Sequence, residues 1–371
     1  MTRSNHQASV DQLGEFDTII DARSPAEYAE DHLPGAISLP VLSDTERAKI
    51  GTLYKQVSSF EAKKLGAALV ARNIARHIEE QLLDKPKSWR PLVYCWRGGQ
   101  RSGAFSLILR EIGWDANRLQ GGYKAWRRHV VDRLDSLPAR YRFQVISGAT
   151  GSGKSRLLEA LANEGAQILH LEKLAVHKGS VLGNMPGQAQ PTQKGFESDL
   201  FAALSVLDTQ RPVFVEAESR KIGKLHLPDS LTTAIRQSPC IQIKASIESR
   251  IEFLLRDYDY ATTDPSWLRS RLSQLSDLQS RETLARWHAW IETSEYEPLV
   301  RELLELHYDP LYQRSQNRNF TGYGEAYVLT TDDLSPQSLQ HLARQICTAT
   351  SAGTNESSSC SPPQAPAAPV A

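Results

Sequence analysis

Short apolar runs alternate along this chain with longer stretches in which apolar residues recur at helical spacing. The short runs predict strands at residues 17–21, 37–40, 91–94, 143–147, 167–171, 213–216 and 241–245. Helical spacing covers residues 61–83, 103–112 and most of 249–306. Strands that alternate with helices are typical of α/β domains with parallel sheets. The pattern therefore predicts an α/β fold with a helical region late in the chain.

The length of 371 residues suits two domains. We predict a first domain at 1–138 and a second at 139–347, with a linker around 135–142. From residue 348 onward the chain is rich in Ser, Pro and Ala, which predicts a disordered tail over 348–371. A polar N-terminus and the lack of an apolar run of ~18 residues predict a cytoplasmic protein without a membrane partner.

Charge and cysteine usage narrow the function further. The formal net charge is zero, yet thirteen Lys and Arg against six Asp and Glu lie between Arg72 and Arg133. This basic excess suits a polyanion such as a nucleic acid, and solvated helix faces explain it equally well. The four cysteines show no paired spacing, so neither a disulfide framework nor a cysteine metal site is predicted.

One cysteine stands in a special setting. The run Cys-Trp-Arg-Gly-Gly-Gln-Arg-Ser begins at Cys95, between a predicted strand and a predicted helix. The helix N-terminus, the paired glycines and the charges of Arg97 and Arg101 all favour a thiolate. These residues predict a catalytic cysteine that accepts sulfur or selenium as a persulfide-type adduct. The alternative is a buried, inert thiol.

A second motif matches the phosphate-binding pattern G-x-x-x-x-G-K-S between a predicted strand and a predicted helix. Gly148, Gly151 and Gly153 let the backbone wrap phosphate oxygens with N–H donors. Lys154 would reach the terminal phosphates, and Ser155 could ligate Mg²⁺. The motif therefore predicts a phosphate site, and a plain Gly-rich turn does not explain its Lys-Ser ending.

Acidic and polar residues elsewhere complete the candidate list. Glu216 and Glu218 follow a predicted strand where a nucleotide hydrolase usually carries an aspartate, so they join the phosphate site as a weaker match. Mg²⁺ stays open, and we assign no metal ligand. His177, Lys178 and Gln193 lie in a long polar connection, which is typical of a substrate loop or of an ordinary exposed loop.

The first domain resembles the rhodanese family. The resemblance rests on the Cys95 loop and on three segments, Asp21–Tyr28, His32–Ala36 and Gly121–Trp126. It implies that Cys95 carries the chalcogen atom. We expect Asp21 and Arg23 to support the fold through local pairing, Gly121-Gly122 to form a tight turn, and Trp126 to lie in the core.

The two domains together resemble the bacterial tRNA 2-selenouridine synthases over about residues 10–346. Two further segments support this, Glu216–Gly223 and Tyr308–Tyr312. The resemblance implies a wobble 2-thiouridine substrate in the tRNAs for Lys, Glu and Gln. Geranyl diphosphate would alkylate the sulfur, and selenophosphate would then supply selenium and displace geranylthiol.

The resemblance also assigns roles to the candidate residues. Lys154 and the loop amides would stabilise the departing diphosphate, and Cys95 would carry selenium. Arg97 or Arg101 would hold the phosphate group released from selenophosphate, and the basic region would face the tRNA backbone. No tightly bound cofactor is implied, and an enzyme that produces selenophosphate is a further candidate partner.

Other functions fit the same motifs. An ATP-dependent kinase or NTPase with a regulatory rhodanese domain would turn over ATP without Cys95. A sulfurtransferase would act without Lys154, and a tRNA- or nucleotide-binding adaptor would need neither residue for chemistry.

Overall fold

The computed structural model describes residues 6–180 and 182–356, without the side chains of 315–318 and 351–356. The chain forms two compact units. The first comprises residues 6–138, 189–206 and 224–230. The second comprises residues 139–188, 207–223 and 231–356. None of the described helices is long and apolar enough to cross a membrane.

The elements up to residue 140 alternate as the hydrophobic pattern predicts. The strands are β1 (Gln7–Ala8), β2 (Thr18–Asp21), β3 (Ile37–Ser38), β4 (Pro91–Tyr94) and β5 (Asn117–Leu119). The α-helices are α1 (Pro25–Glu30), α2 (Asp44–Gln56), α3 (Ser59–His77), α4 (Gln100–Ile112) and α5 (Gly122–Ser136). Short 3-10 or π-helical segments lie at Val10–Glu15, Ile78–Leu82 and Pro138–Arg140.

The rest of the described chain continues the alternation and adds a helical region. The strands are β6 (Arg142–Gly148), β7 (Gln167–Leu169), β8 (Pro212–Glu216), β9 (Lys221–Ile222), β10 (Leu225–His226), β11 (Pro239–Ala245) and β12 (Gly322–Thr331). The first helices are α6 (Lys154–Asn163), α7 (Leu171–Ala175), α8 (Gln193–Ser205), α9 (Asp229–Arg236), α10 (Ile247–Asp257) and α11 (Asp259–Thr263). The last are α12 (Pro265–Leu272), α13 (Arg281–Thr293), α14 (Tyr296–Glu302), α15 (Asp309–Asn319) and α16 (Pro336–Glu356), with short turns at Ser273–Leu275 and Leu303–Tyr308.

The first unit is built on a parallel five-stranded sheet with the strand order β1-β5-β4-β2-β3. Its central strand β4 is buried along its whole length, and Cys95 follows it directly. Because the carboxyl ends of parallel strands share one edge of the sheet, the end of β2 lies beside the start of the cysteine loop. The predicted parallel α/β fold is confirmed here.

Helix α8 belongs to this first unit although it lies far along the chain. Phe201 of α8 packs edge-on against Trp126 of α5, with ring centroids 5.6 Å apart, and Glu197 pairs with Arg127. Trp126 is buried as expected. The predicted boundary at 138/139 did not anticipate that α8 packs on the first unit, because this contact depends on long-range packing.

The second unit holds another parallel five-stranded sheet, with the order β12-β11-β6-β8-β7. The phosphate-loop motif follows β6, and its neighbour β8 ends at Glu216. A separate apolar cluster of the helical region is centred on Trp287, which is fully buried. The sheet order thus brings the loop and the acidic strand end together.

Three expectations need correction. The linker expected at 135–142 is the end of α5, a 3-10 turn and the start of β6, and Leu137 is buried there. Strands β5 and β12 were not predicted, because β5 is short and polar and β12 is largely exposed. The tail expected over 348–371 is wrong for residues 348–356, because α16 continues to Glu356 and Cys347 packs against the core. Residues 357–371 lie outside the described residues.

Candidate functional site

The cysteine loop is held in place by the start of α5. The N–H groups of Tyr123 and Lys124 donate to the carbonyl oxygens of Cys95 and Trp96, at 2.8 and 3.0 Å. Gly122 has a φ of +61°, and a Cβ atom there would fall 2.3 Å from the Cys95 oxygen. Only glycine tolerates both the left-handed backbone and this close approach. The expected tight turn therefore supports the loop directly.

The Cys95 thiol lies at the bottom of this loop, with 3% of the residue exposed. Its Sγ atom is 3.2 Å from the Ser102 hydroxyl oxygen. The N–H groups of residues 96–100 have no hydrogen-bond acceptor among the described residues. Unpaired donors of a glycine-rich loop at a helix start favour an anion. The loop can therefore hold a thiolate or an anionic group bound to the sulfur.

The two arginines of the loop have different surroundings. Arg97 is exposed and forms no ion pair within the described chain. Arg101 makes a two-point ion pair with Glu27, at 2.7 and 3.3 Å, and Arg47 approaches the same carboxylate at 3.1 Å. Burial by itself raises the pKa of Glu27, but its bonds to Arg101 and to the Ser24 N–H, together with the Arg47 charge, outweigh burial and keep that pKa below its ordinary value. Arg97 is thus the arginine whose charge is available to an incoming anion.

The Asp21–Arg23 pair is structural, as expected. Arg23 binds the Asp21 carboxylate through Nε and a terminal nitrogen, at 3.0 and 2.6 Å, and both residues are buried. The Tyr94 hydroxyl donates to the same carboxylate at 2.6 Å, and the Tyr123 ring covers the guanidinium. A buried ion pair with these additional hydrogen bonds ties the end of β2 to β4.

The phosphate loop borders a cavity of about 710 Å³ in the second unit. The Lys154 ammonium donates to the Gly148 and Ala149 carbonyl oxygens, at 2.9 and 3.4 Å. Gly151 has a φ of +82°, and a Cβ atom there would fall 2.8 Å from Leu254. The predicted loop residues Gly151, Gly153, Lys154 and Ser155 all line the cavity.

The segment Tyr308–Tyr312 braces this loop. The Tyr312 hydroxyl accepts the Gly148 N–H at 2.6 Å, so that amide is already engaged. Asp309 pairs with Arg250 at 3.0 and 2.6 Å, and the Arg250 Nε donates to the Thr150 carbonyl oxygen at 2.8 Å. This segment therefore holds the backbone of the loop in its shape.

Three carboxylates meet beside the loop. Glu216 ends β8, Glu218 follows it, and Glu172 comes from α7, just after β7. One oxygen of each lies within 4.8 Å of the others. The Ser155 hydroxyl donates to Glu172 Oε2 at 2.8 Å. Sequence reasoning identified Glu216 and Glu218 and missed Glu172. The signal available in the sequence was its position directly after the predicted strand at 167–171.

These carboxylates have strongly perturbed protonation. Glu216 is fully buried, and neither of its oxygens has a hydrogen-bond partner within the described residues. Burial and then the Glu172 charge raise the pKa of Glu216 well above its ordinary value. The same two causes raise the pKa of Glu218 to about 8, against an opposing effect of Lys154. Without a cation, the cluster holds protons at neutral pH.

This proton uptake makes stability depend on pH. The pKa of Glu218 rises on folding from 4.5 to about 8, so the folded chain binds the proton more tightly. We expect the free energy of unfolding to fall as pH rises from about 5 to 8 in chelator-treated protein. Glu218→Gln should remove part of that slope. Urea unfolding of both proteins across this range measures it, and equal slopes would contradict the assignment.

The three candidates of the polar connection lie in different units. His177 and Lys178 line the cavity, and the Lys178 ammonium bonds to Asp257 Oδ2 at 2.7 Å. Gln193 instead begins α8 in the first unit and bonds to Glu197 at 2.7 Å. Periodicity could not distinguish these positions, because all three lie in one polar connection.

Known proteins resemble this chain in each of its two domains and over most of its length. Residues 6–129 match the rhodanese-like domain family, and residues 141–270 match the tRNA 2-selenouridine synthase AAA domain family. The tRNA 2-selenouridine synthase of Nitrosomonas europaea is 38% identical, over 72% of this chain and 70% of its own length. That of Alcanivorax borkumensis is 34% identical, over 81% of this chain and 90% of its own length. The chain therefore belongs to the tRNA 2-selenouridine synthase family.

Proposed function

We propose that this protein converts 2-thiouridine at the tRNA wobble position into 2-selenouridine through an S-geranyl intermediate. The 2-thio sulfur attacks C1 of geranyl diphosphate, the carbon–sulfur bond forms, and diphosphate leaves with the electron pair. A selenium nucleophile derived from selenophosphate then attacks C2 of the uracil ring, and geranylthiolate departs. Family membership supports the overall conversion, and the two sites support the division of labour.

The phosphate loop suits the first step. Diphosphate departure develops negative charge, which fixed donors stabilise without reorganisation. The Lys154 ammonium already lies at the loop, and the first N–H groups of α6 lack partners within the helix. No phosphoryl transfer is required of this site, so a nucleotide-hydrolysing strand is unnecessary.

An apolar cavity beside the phosphate loop is the observation that supports geranyl diphosphate over ATP as the substrate. It is lined by Leu268, Leu299, Leu303 and Tyr308 among others, and it shares Thr150, Ser180, Leu254, Tyr258 and Tyr308 with the phosphate cavity. Its volume of about 70 Å³ is too small for a purine and suits the end of a prenyl chain. The carbons nearest the diphosphate would then lie in the larger cavity.

The cysteine loop suits the second step. The selenium of selenophosphate attacks the Cys95 sulfur of a mixed disulfide with a small cellular thiol, the sulfur–selenium bond forms, and the small thiolate leaves with the electron pair. Water then attacks phosphorus, the selenium–phosphorus bond breaks with its electron pair on selenium, and orthophosphate departs. The free N–H groups of residues 96–100 and the Arg97 side chain would hold that anion. The selenium on Cys95 attacks C2 of the uracil ring and geranylthiolate leaves. A small cellular thiolate then attacks the Cys95 sulfur, which releases 2-selenouridine with the electron pair of the sulfur–selenium bond and restores the mixed disulfide.

The exposed basic side chains of the region from Arg72 to Arg133 suit a tRNA backbone. Several of its side chains are exposed and form no ion pair among the described residues: Arg72, Arg76, Lys87, Arg97, Lys124, Arg128 and Arg133. Lys124 and Arg128 are four residues apart on α5, whose start contacts the cysteine loop, so they share one helix face. Binding through such charges weakens steeply with salt.

The direct test uses purified protein with tRNA that carries wobble 2-thiouridine. Nucleoside mass spectrometry should detect S-geranyl-2-thiouridine with geranyl diphosphate alone. Addition of selenophosphate, a small thiol and its disulfide should convert it to 2-selenouridine. ATP turnover at a comparable rate, without any change in the tRNA, would instead favour the kinase or NTPase alternative.

A change in the apolar cavity should alter the preferred chain length. Leu268→Ala removes apolar atoms from the cavity wall and leaves room for a longer chain. We expect the ratio of kcat/KM for farnesyl to that for geranyl diphosphate to rise about tenfold, as hydrophobic pockets discriminate by about 1–3 kcal/mol per methylene. Leu342→Ala, in the core outside the cavity, is the matched control. An unchanged ratio would place the prenyl chain elsewhere.

A further inference from the structure

We infer that the turn between α2 and α3 stacks unpaired bases of the tRNA loop that carries the wobble nucleotide. Three apolar side chains are exposed at this turn: Tyr54 to 57%, Val57 to 71% and Phe60 to 65%. They lie within a span of seven residues, at the end of α2 and the start of α3. Apolar side chains exposed singly need no explanation, whereas a group of them at one turn indicates a contact surface.

Basic side chains flank this turn on both helices. Residues 47–64 contain five Lys and Arg and one acidic residue, Glu61, which pairs with Lys64 at 2.8 Å. Three of the lysines are exposed and form no ion pair among the described residues: Lys49, Lys55 and Lys63. Aromatic rings among lysines are typical of surfaces that bind single-stranded nucleic acid, since the rings stack on bases and the charges contact phosphates.

The turn is ordered by its own hydrogen bonds. The N–H groups of Val57 and Ser58 both donate to the Leu53 carbonyl oxygen, at 3.1 and 3.0 Å. The Ser58 hydroxyl oxygen accepts the N–H groups of Phe60 and Glu61 at 3.2 and 3.3 Å, which caps α3. A rigid backbone under the exposed rings lowers the entropy that is lost when a base stacks on them.

The start of α2 is joined to the cysteine loop within the first unit. Arg47 of α2 and Arg101 share the Glu27 carboxylate, at 3.1 and 2.7 Å. Tyr54 follows Arg47 by seven residues, which is about 10 Å along a helix and matches roughly three stacked nucleotides. A tRNA loop whose wobble nucleotide reaches Cys95 can therefore place its neighbouring bases at the turn.

Single-stranded RNA suits this surface better than a membrane or a second copy of the chain. A helix that lies on a membrane carries an apolar face along its length, whereas in α2 and α3 the large exposed apolar side chains are confined to the turn. Lysine is depleted in the centre of protein–protein interfaces, and here lysines flank the rings. The choice of tRNA as the RNA rests on the proposed function, whereas binding at the turn requires neither chemical step.

Binding of a fluorescent anticodon stem-loop to the full chain, measured by anisotropy without geranyl diphosphate or selenophosphate, tests the surface. Tyr54→Ala and Phe60→Ala should each raise Kd about tenfold, because each removes one stacking platform. Tyr54→Phe keeps the ring and should bind as the unmodified protein does. Tyr327→Ala, at a tyrosine of β12 that is 52% exposed, is the matched control and should leave Kd unchanged. Lys63→Ala should lower the slope of log Kd against log salt by about one.

Abasic RNA separates stacking from a general effect of charge. Single abasic sites are placed in turn along the unpaired loop, and at least one should weaken binding by the unmodified protein but not by Tyr54→Ala. Because Tyr54 and Phe60 are exposed, the unfolding temperatures of their variants should equal that of the unmodified protein, so weaker binding is not a folding defect.

An unchanged Kd in both aromatic variants would overturn the inference. So would variants that keep their RNA affinity and instead lose self-association, or lose binding to vesicles of phosphatidylglycerol and phosphatidylcholine. RNA binding that depends on Tyr54, in a protein that transfers no geranyl group, would count against the proposed function and leave this surface in place.

Discussion

Cys95→Ser protein is expected to stop selenium incorporation while it still forms S-geranyl-2-thiouridine. Serine keeps the size and the neighbouring Ser102 contact but cannot form a selenenyl-sulfide. The phosphate loop lies in the other unit and retains all of its residues. Mass spectrometry of tRNA nucleosides should therefore show geranylated product accumulating, with 2-selenouridine at the level of the uncatalysed reaction.

A second buried cysteine provides the control for this experiment. Cys240 lies in β11, and burial raises the pKa of its thiol to about 11, so that thiol is unreactive at neutral pH. Cys240→Ser should leave both steps unchanged. Normal selenation by the Cys95→Ser protein would remove the carrier role, and selenophosphate would then have to react with the tRNA directly.

Lys154→Ala should slow geranyl transfer and leave selenium incorporation unchanged, which is the reverse of the effect of Cys95→Ser. Loss of a fixed cation that faces the leaving diphosphate is expected to lower the rate of geranyl transfer by about 10²–10³. The cysteine loop is unaffected, so tRNA that is already geranylated should be converted to selenouridine at the unmodified rate. Single-turnover assays of the two half-reactions with matched tRNA substrates measure both effects.

Lys244 is a suitable control for the charge change. It is an exposed lysine on β11, and it does not line the phosphate cavity. Lys244→Ala should retain both half-reactions. Loss of both half-reactions in Lys154→Ala would mean that the two sites depend on each other, and retention of geranyl transfer would mean that the diphosphate binds elsewhere.

Local sequence was sufficient wherever backbone geometry determines the chemistry. The cysteine loop and the phosphate loop both occur between a strand and a helix, as expected. Their glycines adopt left-handed backbone angles, for example at Gly98 and Gly153. Such loops need particular residue types at consecutive positions, so a short motif carries most of the information.

Contacts between distant parts of the chain were beyond the reach of the sequence. The sequence predicts that Arg101 binds an anion, but in the structure it pairs with Glu27, which is 74 residues away in the sequence. Gln193 was a candidate for a substrate loop shared with His177 and Lys178, whereas it begins α8, which packs in the first unit. In both cases the preferred partner is set by the packing of whole elements, which local periodicity does not encode.

By itself, the sequence determined the two α/β sheets, the cysteine loop at the end of β4, and the phosphate loop at the end of β6. These follow from short-range rules of hydrophobic period, turn chemistry and helix starts. Only the tertiary structure decided that Glu172 joins Glu216 and Glu218, and that an apolar cavity adjoins the phosphate loop. Both depend on which strands and helices become neighbours, and long-range packing settles that order.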